Sequence, residues 1–261
     1  MRDPMSVRGA GRLLAVSVVA LLPLSLADPA EPQAPGPESR TERPSYEVAR
    51  SSTPIDVDGL PNEAAWKGAE VLSFFNNVDG SSPDAQIATR AKALYDEAFI
   101  YFAFENVDTN AWSTRTERDE HLWEEEVVEV FIQADPTHPS YIELEVNPLG
   151  TMLDIFLIDI RKPIPYESWN SAGLRWAVHV DGTADGQPGD VGWSCEIALP
   201  LEDVVTAPHI PPLPGDRWRA NLYRVEKKPS RASLAWSPTL VGDFHRPDRF
   251  GDLVFVDRSV P

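Results

Sequence analysis

Glu129, Glu143 and Glu145 alternate with aliphatic residues in two short β-like runs, Val127–Gln133 and Tyr141–Asn147. A strand points successive side chains to opposite faces, so each run has an apolar set and a polar set. In the first run, Val128, Val130 and Ile132 form the apolar set, which leaves Glu129 on the opposite surface. In the second, Ile142, Leu144 and Val146 face the core, and Tyr141, Glu143, Glu145 and Asn147 make a polar row. Arg219, Asn221 and Tyr223 share a face in a later run, Arg217–Glu226. If these runs pair in order, one sheet presents Glu, Asn, Tyr and Arg side by side. Carboxylates, amides and guanidinium groups are bidentate partners for hydroxyls, and flat aromatic faces suit apolar ring surfaces. The competing reading is the ordinary solvated face of a β-sandwich. Carboxylates at i and i+2 are weak evidence for acid–base catalysis for the same reason.

Other chemistries lack their residues. There is no Gly-x-Ser-x-Gly elbow, phosphate loop or dinucleotide glycine fingerprint. The five histidines, His121, His138, His179, His209 and His245, have no metal-ligand spacing. A carboxylate pair of glycosidase spacing carries no weight in a chain with 41 Asp and Glu, since some pair always fits. Met152 falls in a strand, and a Met152/His haem pair is disfavoured. The single cysteine, Cys195, excludes an intrachain disulfide framework and a cysteine zinc site. It lies in an apolar strand and reads as a small hydrophobe rather than a nucleophile. A net charge of −18 argues against nucleic acid and anionic membrane surfaces as partners.

The elements that must carry these residues are mostly strands. β-branched and aromatic runs fall at Tyr46–Ala49, Ile87–Tyr95, Phe99–Asn106, Val127–Gln133, Tyr141–Asn147, Met152–Ile160, Leu174–Val180, Gly192–Pro200, Arg217–Glu226, Ser233–Ser237 and Leu253–Val256. Turn signals such as Asp79-Gly80, Pro148-Leu149-Gly150 and Pro214-Gly215-Asp216 separate them. Helical signals are confined to Asn62–Ala69 and one or two turns at Leu201–Val205. The pattern predicts an all-β fold, an antiparallel β-sandwich of jelly-roll or immunoglobulin-like type with one or two short helices.

The first 27 residues read as an address. Arg2, Arg8 and Arg12 precede the apolar run Leu13–Leu26, which is shorter than the ~20 residues of a membrane span. Ser25-Leu26-Ala27 places small residues where a signal peptidase reads. The expectation is a cleaved signal peptide at 1–27 and a secreted or periplasmic protein without a membrane span. Residues 28–45 form a proline-rich linker, and the sandwich domain occupies 46–261.

Several motifs recur in a familiar order. They are Ile55-Asp56-Val57-Asp58-Gly59, Asn62-Glu63-Ala64-Ala65-Trp66, Arg118-Asp119, Leu122-Trp123, Val127-Val128-Glu129-Val130-Phe131 and Glu145-Val146-Asn147-Pro148. Gly192-Trp193 leading to Ala198-Leu199-Pro200 follows, then Trp236-Ser237-Pro238, and finally Phe244 through Phe250-Gly251. Their order and spacing, over about Tyr46 to Val256, resemble family 9 carbohydrate-binding modules and their secreted, DOMON-like relatives. The resemblance implies a non-catalytic β-sandwich that grips a sugar between two aromatic rings. On that reading Trp123 and Phe244 are the stacking walls, and Glu129, Glu145, Asn147 and Tyr223 hydrogen-bond the ligand. It implies no required cofactor, with structural calcium an option; by residue type Asp56, Asp58 and Asp79 could hold one, as could Glu124–Glu126, though three adjacent acids more often form a solvated charge run. The family pattern has Trp at Phe244, Arg at Glu145 and Gln at Tyr223, so the ligand need not be the family's usual sugar. A mono- or oligosaccharide and a separate glycoside hydrolase are the implied partners, in support of polysaccharide breakdown. Two alternatives stand beside it: a small glycoside hydrolase, and a cell-surface structural domain whose Trp123 is buried.

Overall fold

In the computed structural model, which describes residues 42–73, 76–159, 165–166, 169–228 and 231–261, the chain alternates short strands with tight turns. The strands are β1 (Ser45–Ser51), β2 (Leu72–Ser73), β3 (Asn76–Asn77), β4 (Thr89–Tyr95), β5 (Phe99–Val107), β6 (Val127–Gln133) and β7 (Tyr141–Val146). They continue as β8 (Met152–Leu157), β9 (Pro165–Tyr166), β10 (Arg175–Asp181), β11 (Gly192–Pro200), β12 (Arg217–Glu226), β13 (Ala232–Ala235) and β14 (Gly251–Val260). One α-helix is described, α1 (Ala64–Gly68), and Leu201–Asp203 is a single 3-10 turn. The signal-peptide reading and residues 28–41 of the linker lie outside the described residues.

The strands pair along one path, β10-β11-β5-β4-β1-β14-β12-β6-β7-β8-β9. The sheet curls so that its two halves face each other. Ala91, Ala93, Phe102, Phe104, Cys195, Ile197 and Leu199 from one half meet Val128, Val130, Ile132, Ile142, Leu144, Val146 and Leu222 from the other in one core. The aliphatic sets of β6 and β7 are therefore the inward ones. The fold is an all-β sandwich.

The pairing is not antiparallel throughout. β1 runs parallel to β14 through Ser45–Ser51 and parallel to β4 at Ala49 and Arg50, with a register shift between Val48 and Arg50. A parallel pair needs a long crossover. Here nearly the whole domain is that crossover, because β1 and β14 are its first and last strands. The two-residue strands β2, β3 and β9 are too short to leave a periodic signal in the sequence.

The Ile55–Gly59 and Asn62–Trp66 motifs form one structural knot. Glu196 of β11 is buried and accepts hydrogen bonds from Asp58 N (3.1 Å), Gly59 N (2.9 Å) and Trp66 Nε1 (2.7 Å). Gly59 has φ of +90°, and a Cβ there would lie 2.6 Å from the backbone of Val178. Only glycine fits that approach. Asp58 caps the turn through Leu60 N (2.8 Å). Cys195, beside Glu196, is fully buried, and burial pushes its thiol well above the ordinary range.

Candidate functional site

Register brings the acidic residues together. Glu129 of β6 sits directly opposite Glu145 of β7, and Phe131 sits opposite Glu143. On the flanks, Tyr223 of β12 pairs with Glu129, while Leu153 and Ile155 of β8 pair with Glu145 and Glu143. Like charges directly opposite on one sheet face repel and destabilise the sheet. This face is nevertheless closed off from bulk water. Glu129 is 1%, Glu143 5% and Glu145 0% exposed. Leu122, Val127, Phe131, Tyr141, Leu153, Ile155, Leu157, Tyr223, Val225 and Phe250 form a second apolar cluster around them. The polar row is thus not the solvated face of a sandwich.

The three carboxyls line a cavity of about 470 Å³. One ligand atom from each lies within 4.8 Å of the others. Glu129 Oε1 has no hydrogen-bond partner, while the Glu145 carboxyl is held by the Glu143 carboxyl beside it and the backbone N–H of Trp123. Burial raises the pKa of all three, and for Glu129 and Glu145 the neighbouring carboxyls raise it further. Lys227 brings a cation to the wall. His245 Nδ1, hydrogen-bonded with Tyr141 OH, lies 3.9 Å from Glu143 Oε2.

Two loops build the walls. The turn Leu122–Glu124 carries Trp123, which is 37% exposed and stacks on His121 with centroids 4.3 Å apart. The residues that follow it are not a solvated acidic run. Glu124 pairs with Arg115, Glu125 accepts from Ser113 Oγ (2.8 Å) and Thr114 N (2.6 Å), and Glu126 accepts from Trp112 N (2.9 Å). They clamp the turn onto residues 112–115. Opposite, the segment Gly242–His245 brings Phe244 and His245 to the cavity. Phe244 stacks on Tyr223, with centroids 4.4 Å apart and 13° between planes.

Of the six residues singled out from the sequence, Trp123, Glu129, Glu145 and Phe244 line this cavity. Tyr223 does not reach it. It is fully buried beneath Phe244, donates to Phe244 O (2.8 Å) and accepts from Asn221 Nδ2 (2.7 Å). Asn147 lies outside it as well. Its Nδ2 donates to Ser113 Oγ and Arg115 O (both 2.9 Å), and its Oδ1 accepts from Leu149 N (3.0 Å) and Thr151 N (2.9 Å). All four of its hydrogen-bonding positions are used in holding the turn after β7. Sequence reasoning placed Glu143 in the polar row without making it a site residue, and did not find Phe131, Lys227 or His245 in the site. Strand alternation could have given Glu143 and Phe131. The same alternation carried one residue beyond β12 puts Lys227 on the face of Tyr223 and Val225, whereas nothing local marks His245.

Among the described residues, a second set of three carboxyls converges, Asp108, Glu126 and Glu226. Arg224 enters it, with Nη2 at 3.0 Å from Asp108 and 2.6 Å from Glu226. Asp56, Asp58 and Asp79 join neither set.

A β-sandwich whose outer sheet face holds an aromatic-edged cavity with hydrogen-bonding groups on its floor is the architecture of a ligand-binding module. The chain belongs to carbohydrate-binding family 9, whose sequence model matches residues 77–255. Family 9 modules are non-catalytic. Similar folds occur in a Bacteroides uniformis protein described as carbohydrate-binding (17% identity, TM-score 0.66, 82% of this chain and all of that one). A family 9 module from Caldicellulosiruptor kristjanssonii, solved with cellotriose, is 15% identical at TM-score 0.60 over 82% of this chain and 95% of that one. The same organism's module with glucose gives 16% and 0.58, over 82% and 97%. No curated protein matches the chain. No described helix is long and apolar enough to cross a membrane.

Proposed function

We propose that the chain binds carbohydrate at the cavity over β6 and β7, with a sugar ring stacked on Trp123 and Phe244. Glu129 and Glu145, joined by Glu143, accept hydrogen bonds from the ligand. Asn147 and Tyr223 serve the site indirectly, by fixing the turn after β7 and the seat of Phe244. The carrying observation is a buried carboxyl oxygen without a partner, Glu129 Oε1, among three crowded carboxyls on the floor of a sugar-sized cavity, below an indole that stays 37% exposed. Unpaired buried acceptors cost free energy that a donor-bearing ligand restores. That exposure is also the reverse of what a purely structural domain calls for.

The test is isothermal titration against mono- and oligosaccharides with wild type and Trp123→Ala in parallel. Removal of a central aromatic anchor costs about 2 kcal/mol or more, so affinity should fall at least ~30-fold. Thermal stability should barely change, since Trp123 stands outside the core clusters. Saturable binding that survives Trp123→Ala unchanged would refute the stacking role.

Raised carboxyls also mark glycosidase acids. The family is non-catalytic, and Glu143 and Glu145 hydrogen-bond each other, so crowding and burial account for the shift. Structural calcium is part of the proposal only where the donors fit. Arg224 already occupies the Asp108, Glu126 and Glu226 set, which makes it a poor cation site. Export to the periplasm or medium, and action beside a separate glycoside hydrolase, complete the reading. Its check is the N-terminus of the exported protein, expected at Asp28; retention of Met1 would overturn the signal-peptide reading.

A further inference from the structure

We infer that the cavity over β6 and β7 selects a sugar carrying a free ammonium group, an unacetylated amino sugar, held at the floor by Glu129, Glu143 and Glu145. The inference rests on the carbohydrate-binding reading and narrows it to a ligand class.

The hydrogen-bond character of the floor comes first. It offers three carboxyls whose ionised forms only accept. A sugar hydroxyl is both donor and acceptor, so such a floor uses half of what it offers. An ammonium brings three donors and no acceptor, and its charge draws the protons off carboxyls that burial otherwise holds neutral. Charge-assisted N–H···O bonds are shorter and about twice as strong as neutral ones.

Geometry agrees. An ammonium with N···O distances of about 2.8 Å along tetrahedral directions needs acceptors about 4.6 Å apart. The three carboxyls each bring one ligand atom within 4.8 Å of the others, so a single ammonium can reach all three. The cavity, about 470 Å³ and walled by Trp123, Phe131 and Phe244, is far larger than a lone ion needs. Its cation must arrive on a body that fills the remaining space, and aromatic walls also favour a cation by their ring quadrupoles.

The other carboxyl set provides an internal control. At Asp108, Glu126 and Glu226 the chain supplies its own cation, Arg224, buried to 1% exposure and bonded to two of the three acids. Among the described residues no arginine enters at Glu129, Glu143 and Glu145. Glu129 Oε1 stays unpartnered, and Lys227 acts on it from the wall without forming an ion pair. The fold fills one buried acidic cluster and leaves the other open to a cavity. The chain's net charge of −18 further draws a polycationic glycan rather than a neutral or anionic one.

The experiment is isothermal titration of the purified protein at pH 6, well below the ~8 of an ordinary α-amine. The probes are glucosamine and its β-1,4-linked dimer, set against glucose, cellobiose and N-acetylglucosamine. Calcium chloride alone is a further arm, and every arm is repeated with EDTA. The amino sugars should bind at least about tenfold tighter than their neutral counterparts, and the margin should shrink in high salt. In Glu145→Gln and Glu143→Gln, each verified as folded by circular dichroism, the preference should collapse towards unity. Neutral sugars binding equally or tighter would overturn the inference while leaving the carbohydrate reading intact. Saturable heat with calcium alone that is lost in Glu145→Gln, or sugar binding abolished by EDTA, would overturn it in favour of a metal-floored site. No binding by any sugar would remove both readings.

Discussion

Arg224→Met should lower stability by about 3–5 kcal/mol, the range measured when one partner of a buried ion pair is removed. Arg224 projects from β12 and is buried to 1% exposure. Its Nη1 donates to Ile87 O (3.2 Å), Thr89 Oγ1 (3.2 Å) and Val107 O (2.8 Å), and its Nη2 to Asp108 and Glu226. One guanidinium therefore ties β12 to β4 and β5, across the two halves of the curled sheet. Methionine keeps most of the aliphatic volume and removes the fork. It strands Asp108 and Glu226, whose side chains are fully buried, beside Glu126. Urea unfolding should show a lower midpoint at unchanged slope. Adding Asp108→Asn and Glu226→Gln should recover a large part of the loss, because the uncompensated charges are what destabilise. A single-variant loss under about 1 kcal/mol would mean that Arg224 is not the tie described.

The acidic floor makes a second large effect, in the pH dependence of stability. Burial first, then neighbouring acids, hold Glu129 and Glu145 well above the carboxylate range, and burial raises Glu143. Glu126 is pushed up to about 10 by burial, with Glu226 and Asp108 adding to it. The unfolded chain releases these protons near pH ~4.3. Above that, the unfolded state binds fewer protons than the folded one, so stability falls as pH rises. The contribution is whole below the unfolded value and drains away towards the folded ones. Unfolding free energy should therefore decline between about pH 5 and pH 8. Glu145→Gln removes one of these groups and relieves its neighbours. One pKa unit is about 1.4 kcal/mol, so the variant should exceed wild type at pH 8 by at least that much and show a flatter profile. Urea titrations at both pH values decide it. A wild-type profile that rises over this window, or a Glu145→Gln profile as steep as wild type, would refute the argument.

The elements with long regular alternation were legible in the sequence. Val128, Val130 and Ile132 against Glu129 and Phe131, and Ile142, Leu144 and Val146 against Glu143 and Glu145, land on the expected faces. Alternation failed where a strand ended. Asn147 continues the pattern on paper, but the strand stops at Val146, and the side chain turns to cap the loop. Tyr223 kept its face and its place opposite Glu129, yet the loop at Phe244 folds over it. That cover comes from a segment some twenty residues away, which no local period records. The same holds for His245. The parallel pairing of β1 was invisible because strand direction leaves no mark on composition. Glu196 was hidden in an apolar run, where its role depends on Trp66 and Gly59, each more than 125 residues away.

β1 lies between β4 and β14, at the place where the curled sheet passes from one half to the other. Its registered partners in β14, from Asp252 to Val260, lie at the far end of the domain. The first strand of the sandwich therefore waits for the last one before its ladder can close. Contacts at such separation slow folding, since a long loop must be closed before any bond rewards it. Until β14 docks, the edges of β1 and β12 that it covers stay open to strand addition. A cut within β14 reopens the joint between the halves.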